Sequence, residues 1–235
     1  MKTNEKIQKL ITDWMTNPRW KGVKRPYTAE EVVKFQDLNV IEKRKSINSL
    51  VKFYNQNYTE KFSAFTDYKS VELLIESGCH RIIVKDDTNS KKEIINNLID
   101  ARFTADVNDN SSIIIAKIYA NTKFSIRDKV SNNFLNGSNN LKKKIKRSLR
   151  IAPYADVICL ESSVLDLEKA RAFAKEFKSK CPEKNLAFSC PLLVGGSFDV
   201  DKVKDRLVGM GYKFLLNDTA DRIEYNSDEI YSNAV

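Results

Sequence analysis

What this chain lacks narrows its possible functions. No run of about 18 apolar residues occurs, so no segment reads as a membrane-spanning helix. The opening "MKTNEKIQKLITDW" has no apolar stretch of the signal-peptide kind, so we expect a cytoplasmic protein without membrane contact. Cysteine is sparse: Cys79, Cys159, Cys181 and Cys190 are scattered without a C-x-x-C pair, which suggests neither a zinc site nor a disulfide framework and leaves buried thiols. The single histidine, His80, follows Cys79, but neighbours on an extended chain point to opposite sides, so adjacency alone does not make a nucleophile and base. A core or helix-end role is expected for it. Gly195-Gly196-Ser197 is not followed by Lys-Ser/Thr and reads as a turn, not a phosphate loop.

Charge is abundant by contrast. Forty Lys+Arg against 31 Asp+Glu give a formal charge of +9, which permits an acidic partner without requiring one. Heavy use of Lys, Asn and Ile together is also what drift toward A/T-rich codons produces. The densest run, "LKKKIKRSLR" at 141–150, holds six cations and invites a basic anion-binding or nucleic-acid-binding reading. No aromatic platform or known nucleic-acid module accompanies it, so a solvated helical face is preferred and nucleic acid is not the expected partner.

The remaining pattern divides at about residue 58. Ile7, Leu10, Ile11 and Trp14 recur at helical spacing, "TNPRW" breaks the helix, and Thr28-Ala29-Glu30-Glu31 has the capping-box pattern that opens a second one. Ile47, Leu50, Val51 and Tyr54 make a third stripe, so residues 1–58 read as a helical segment. In residues 59–235 short apolar runs alternate with amphipathic stretches. Strands are expected near 62–65, 81–85, 112–118, 156–161, 186–190 and 212–216, with helices between them. Buried strands joined by crossover helices predict a parallel α/β sheet. An eight-unit barrel needs about 250 residues, and the roughly 175 available suit about six units of about 30. The expected fold is therefore an incomplete or rearranged (β/α)8 TIM-type barrel behind an N-terminal helical segment.

Four stretches then carry a resemblance. "IQKLITDWMTNPRWKGVKRPYTAEEVV" resembles the N-terminal signature of isocitrate lyases. "IDARFTADV" resembles their "ARLAADV" helix. "RIAPYADVICLESSVLDLEKARAFAKEF" with "CPEKNLAFSC" resembles their sixth and seventh βα units, and "GMGYKF" the run into their last strand. That family belongs to the phosphoenolpyruvate mutase superfamily. The resemblance implies a barrel that uses Mg²⁺ to cleave isocitrate to glyoxylate and succinate, the lyase step of the glyoxylate cycle, with a base and a Cys acid flanking the metal-bound carboxylates.

Position by position, the same resemblance predicts losses. The family's K-K-C-G-H loop should precede the "ARLAADV" helix, yet Lys91-Lys92 lead straight into that helix. The metal-binding A-D-x-x-x-G-x-G-G stretch has no counterpart. The fifth strand should end A-R-T-D-A, where this chain has Ala116-Lys117-Ile118-Tyr119-Ala120. The seventh should end N-C-S-P-S-F-N, where Ser189-Cys190-Pro191-Leu192-Leu193 stands. Glu161 matches the family's metal-linked Glu. Asp86-Asp87 match a Glu-Asp pair after the fourth strand, unless residues 62–86 descend from the first two units; both derivations stay open.

The candidates are thus Glu161, Ser189 and Cys190 at family site positions, and Asp86, Asp87 and Glu161 for Mg²⁺ if any activity is retained. Trp14, Arg19, Trp20, Arg25 and Tyr27 mark fold or association. The expected function is an isocitrate lyase-like pseudoenzyme with no cofactor, acting by structural or regulatory association as a homo-oligomer or with a full-length isocitrate lyase. The alternatives are an active Mg-dependent lyase, with Cys190 or Lys117 recruited as acid or base, and the basic anion-binding protein.

Overall fold

The computed structural model describes residues 3–37, 81–86, 91–108, 112–119, 137–190, 199–217 and 222–224. The apolar stripe at 47–54, the strand at 62–65, Cys79, His80, Asp87 and Gly195–Ser197 lie outside the described residues. The elements are α1 (Thr3–Thr16), α2 (Ala29–Gln36), β1 (Arg81–Lys85), α3 (Lys91–Val107), β2 (Ile113–Tyr119), α4 (Gly137–Ile151), β3 (Val157–Glu161), α5 (Leu167–Lys180), β4 (Asn185–Ser189), α6 (Val200–Gly209), β5 (Phe214–Asn217) and β6 (Arg222–Glu224). Five of the six expected strands are present within a residue or two, and the sixth lies outside the described residues. β6 was not foreseen: at three residues it is too short to carry an alternating pattern.

Local chemistry accounts for the boundaries. The Thr28 hydroxyl accepts from Glu31 N at 3.2 Å while the Glu31 carboxylate accepts from Thr28 N at 2.8 Å, completing the capping box of α2. Asp166 caps α5 through Lys169 N at 3.0 Å, and Asp199 caps α6 through Lys202 N at 3.2 Å. The buried face of α5 is Ala170, Phe173, Ala174 and Phe177, spaced three and four residues apart. After α6 the chain turns at Gly211, whose φ of 95° suits glycine, and Tyr212 N then bonds back to Leu207 O at 3.1 Å.

The strands are ordered β1-β2-β3-β4-β5-β6. The first five form a parallel sheet alternating with helices, the arrangement of an incomplete TIM-type fold. β3 pairs parallel with β4 and β4 with β5, whereas β6 pairs antiparallel with β5. Among the described residues the sheet has two edges, β1 and β6.

The chain divides into two compact units. One comprises Met1–Ala116 with Pro153–Asp156, and the other Lys117–Ala152 with Val157–Val235, so the division passes through β2. In the first unit, Tyr27, Val32, Phe35, Phe103 and Val107 form a core against which Leu10, Trp14 and Ile99 pack. In the second, Ile158, Leu160, Leu186, Phe188, Phe173, Phe177 and Leu207 are buried. Among the described residues no helix is long and apolar enough to cross a membrane.

Candidate functional site

The second unit carries a row of polar side chains at the C-terminal ends of its strands. β2 reads Ile-Ile-Ile-Ala-Lys-Ile-Tyr and is buried along its length, so every position asks for an apolar side chain. Lys117 is the exception, with no exposed surface. Its Nζ lies 3.2 Å from Glu161 Oε2, at the last residue of β3. Glu161 is paired in register with Ser189, the last residue of β4, and directly paired residues present their side chains on one face of a sheet. Ser162 N donates to Ser189 O at 2.9 Å and fixes this end of the register. Ser189 is fully buried, and its Oγ has no hydrogen-bond partner among the described residues. The row ends at β5, where Leu216 is the register partner of Ser189. Lys117, Glu161 and Ser189 therefore give one cation, one carboxylate and one hydroxyl in a water-poor setting.

The resemblance counts the arginine of the fifth strand as lost, and in the structure a lysine at that position supplies a cation to Glu161. The sequence signal for it is a lone charge within an otherwise apolar strand. Cys190 follows β4 and is buried, as is Cys159. Cys181 departs from the buried-thiol expectation: it caps the C-terminus of α5 and is half-buried, and its thiol is held above the usual range by desolvation and by Glu183.

Of the magnesium candidates, Glu161 and Asp86 are among the described residues and Asp87 is not. A hard cation asks for about six oxygen ligands, several of them carboxylates or waters. Among the described residues no three His, Cys, Asp or Glu side chains come together as a metal-holding group. Glu161 already has its charge balanced by Lys117, so a divalent ion there would compete with a buried ammonium. Asp86 is buried just after β1.

The first unit holds a different constellation, built from three stretches far apart in sequence. Asn17 accepts from Arg19 N at 3.0 Å and opens a 3₁₀ turn over Pro18–Trp20, and Gly22 at φ 72° redirects the chain behind it. Arg25 is thereby brought back over Trp20 and Trp14, 4.3 Å from each ring. Arg19 lies 4.4 Å from the Trp20 ring, and Arg102 of α3 lies 5.2 Å from it. Trp20 Nε1 donates to Asp13 at 2.6 Å.

Asp106 of α3 accepts from Arg25 Nε and from the Tyr27 hydroxyl, each at 2.8 Å, and its carbonyl accepts from Gln36 at 3.1 Å. Burial, together with the Asp106 charge, raises the Tyr27 hydroxyl well above its ordinary pKa, so it stays a donor. Arg102 is 1% exposed and pairs with Asp156 through a short hydrogen bond. Burial disfavours its charge, but Asp156 and Asp106 more than offset this, so its pKa is raised. Asp156 also accepts from Ile114 N at 2.8 Å, and Arg19 donates to Ser112 O at 2.8 Å. The cations here lie against carboxylates or ring faces of the cluster, while Arg25 Nη2, Arg102 Nε and Asp156 Oδ1 are buried without a hydrogen-bond partner among the described residues.

Comparison with known proteins bears on the strand ends of the second unit. Residues 127–206 match the family model described as "Isocitrate lyase family", a span containing Glu161, Ser189 and Cys190. The chain is 27% identical over 179 residues to the isocitrate lyase of Escherichia coli (strain K12), covering 63% of this chain and 41% of that protein. It is equally similar to the isocitrate lyase of Halalkalibacterium halodurans, covering 42% of that protein. It is 29% identical over 138 residues to isocitrate lyase 1 of Mycobacterium tuberculosis, covering 51% of this chain and 32% of the relative. The matched region thus spans less than half the length of these relatives.

Proposed function

We propose that this divergent relative of the isocitrate lyases is impaired in the magnesium-dependent cleavage of isocitrate and acts by association, with a full-length isocitrate lyase or with a second copy of itself, in the cytoplasm. The observation that carries the reading is the Lys117–Glu161 ion pair at 3.2 Å. The carboxylate expected to reach a metal is held instead by a buried ammonium. Cleavage of the C–C bond needs a site where negative charge developing on the leaving fragment is stabilised and a proton is delivered. Lys117 can supply a positive charge, but among the described residues no three His, Cys, Asp or Glu side chains gather as a metal-holding group.

Support for association comes from the first unit. There the residues that resemble the family signature are preserved as an interlocked set, although the family's chemistry lies elsewhere. An interlocked segment of this kind serves the fold, and a folded surface is what association requires.

The test is to mix the purified chain with a full-length isocitrate lyase of the same organism. Co-elution on size exclusion and a change in the lyase's specific activity are expected. A monomer that neither binds the lyase nor self-associates would remove the proposed role.

A further inference from the structure

We infer that the exposed face of α4 is a binding surface for a nucleic-acid duplex, held by its phosphates without reading of its bases. From the residues alone a solvated face is the preferred reading of this run. The structure adds which cations share a face, what pairs with them and where the apolar side of the helix goes. The inference draws on none of the strand-end residues and does not rest on the impaired-lyase reading.

Between residues 141 and 151 the exposed positions of α4 are Lys142, Lys143, Lys146 and Arg150, all of them cations. Steps of three and four residues make them neighbours on one face, and a rise of 1.5 Å per residue sets Lys142 and Arg150 about 12 Å apart. α4 holds no acidic residue, and none of the four is in an ion pair among the described residues. Surface cations elsewhere in the same unit do pair: Lys169 with Asp166, Lys180 with Glu176 and Lys202 with Asp199. Like charges four residues apart weaken a helix, and only Arg150, in the last turn, is favoured by the helix dipole. Helix stability therefore does not explain the row.

The surroundings select the partner. The other side of α4 is already used, since Ile145, Ser148 and Ile151 are buried. No apolar face is left to enter a lipid bilayer, as an interfacial helix requires. α4 has no aromatic side chain, and Phe173 and Phe177 of α5, which packs against it, are buried and stacked on each other. Neither helix thus presents a platform on which unpaired bases would stack. A row of ammonium and guanidinium groups remains, which suits regularly spaced phosphates: a duplex carries one charge per about 1.7 Å, so about 12 Å passes about seven of them.

The test titrates the full chain against a short labelled DNA duplex of arbitrary sequence and against its single strand, followed by fluorescence anisotropy, with co-sedimentation on phosphatidylserine-rich vesicles beside it. The duplex should bind more tightly than the single strand, and the vesicles should not retain the chain. Four phosphate contacts predict a log–log salt slope of about −3.6, hence about a hundredfold loss of affinity between about 50 and 200 mM salt. The combined variant Lys142→Gln, Lys143→Gln, Lys146→Gln and Arg150→Gln keeps good helix formers at exposed positions and should lose duplex binding. Lys146→Gln alone should reduce the slope by about 1, and it decides if circular dichroism shows the combined variant unfolded. A charge-matched variant of the first unit, with the exposed Lys9, Lys21, Lys24 and Lys34 changed to Gln, should bind as the natural chain does. Equal loss in the two combined variants would assign the binding to the net charge of the chain and overturn the proposal. Absence of duplex binding, or binding to the single strand or the vesicles as tight as to the duplex, would overturn it too.

Discussion

The aromatic–arginine cluster of the first unit and the strand-end row of the second are both islands of charge in buried surroundings, but they differ in how many groups share each charge. In the cluster, Arg25, Arg102 and Tyr27 meet Asp106 and Asp156, and the indole rings of Trp14 and Trp20 lie beneath the guanidinium groups. Its charges pair with one another, with Arg25 Nη2, Arg102 Nε and Asp156 Oδ1 left without a hydrogen-bond partner among the described residues. In the row, Lys117 Nζ lies 3.2 Å from Glu161, and the neighbouring Ser189 hydroxyl has no hydrogen-bond partner among the described residues. The cluster spreads its charges over several carboxylates and ring faces, whereas the row rests on the Lys117–Glu161 pair.

The contrast can be broken most forcefully at Asp106. Asp106→Ala removes the acceptor of both Arg25 and Tyr27 and strands a buried guanidinium, so a loss of about 3–5 kcal/mol is expected in urea denaturation. In the row, Lys117→Met should also destabilise, by up to about 3 kcal/mol, because Glu161 is left buried without its ion-pair partner. Lys117→Met combined with Glu161→Leu should then recover to within about 1 kcal/mol of the natural chain or exceed it. If the double variant is instead as unstable as the single one, the pair is structural and the contrast fails.

Smaller effects sharpen the picture. Tyr27→Phe should cost about 1.5–3 kcal/mol, the amount for losing one buried bond to a charged acceptor. Asp100, on α3, gives a pH dependence. Burial raises its carboxyl to about 7, so the folded chain holds a proton that the unfolded chain releases near pH 4. Between these values the folded state binds more protons, so stability falls as pH rises from about 4 to about 7. With the carboxyl partly open to solvent, the effect is about 1 kcal/mol, and Asp100→Asn should flatten the profile.

Much of the fold was legible in the residues. Apolar runs of four to seven residues located the described parallel strands, and side chains at caps such as Thr28 and Asp166 marked helix starts. β6 carried too few residues to show a period. The meaning of the N-terminal motif was only half legible. Its cations and aromatics read as a fold or association label, but nothing in a linear pattern shows that Arg25 and Tyr27 reach Asp106 of "ARFTADV", or that Arg102 of that stretch reaches Asp156 of "APYAD". Three stretches that resemble the family separately are one physical object, which explains why they persist together. At the strand ends the sequence showed what had been exchanged. It did not show that Lys117 would sit against Glu161, because contact between neighbouring strands depends on register.

The most direct test of the account is glyoxylate release from isocitrate by the purified chain with Mg²⁺. Release no faster than the protein-free blank, unchanged by Glu161→Ala, is the expected result. Turnover that is abolished by Glu161→Ala would contradict it, by showing that this carboxylate serves lyase chemistry despite its lysine partner.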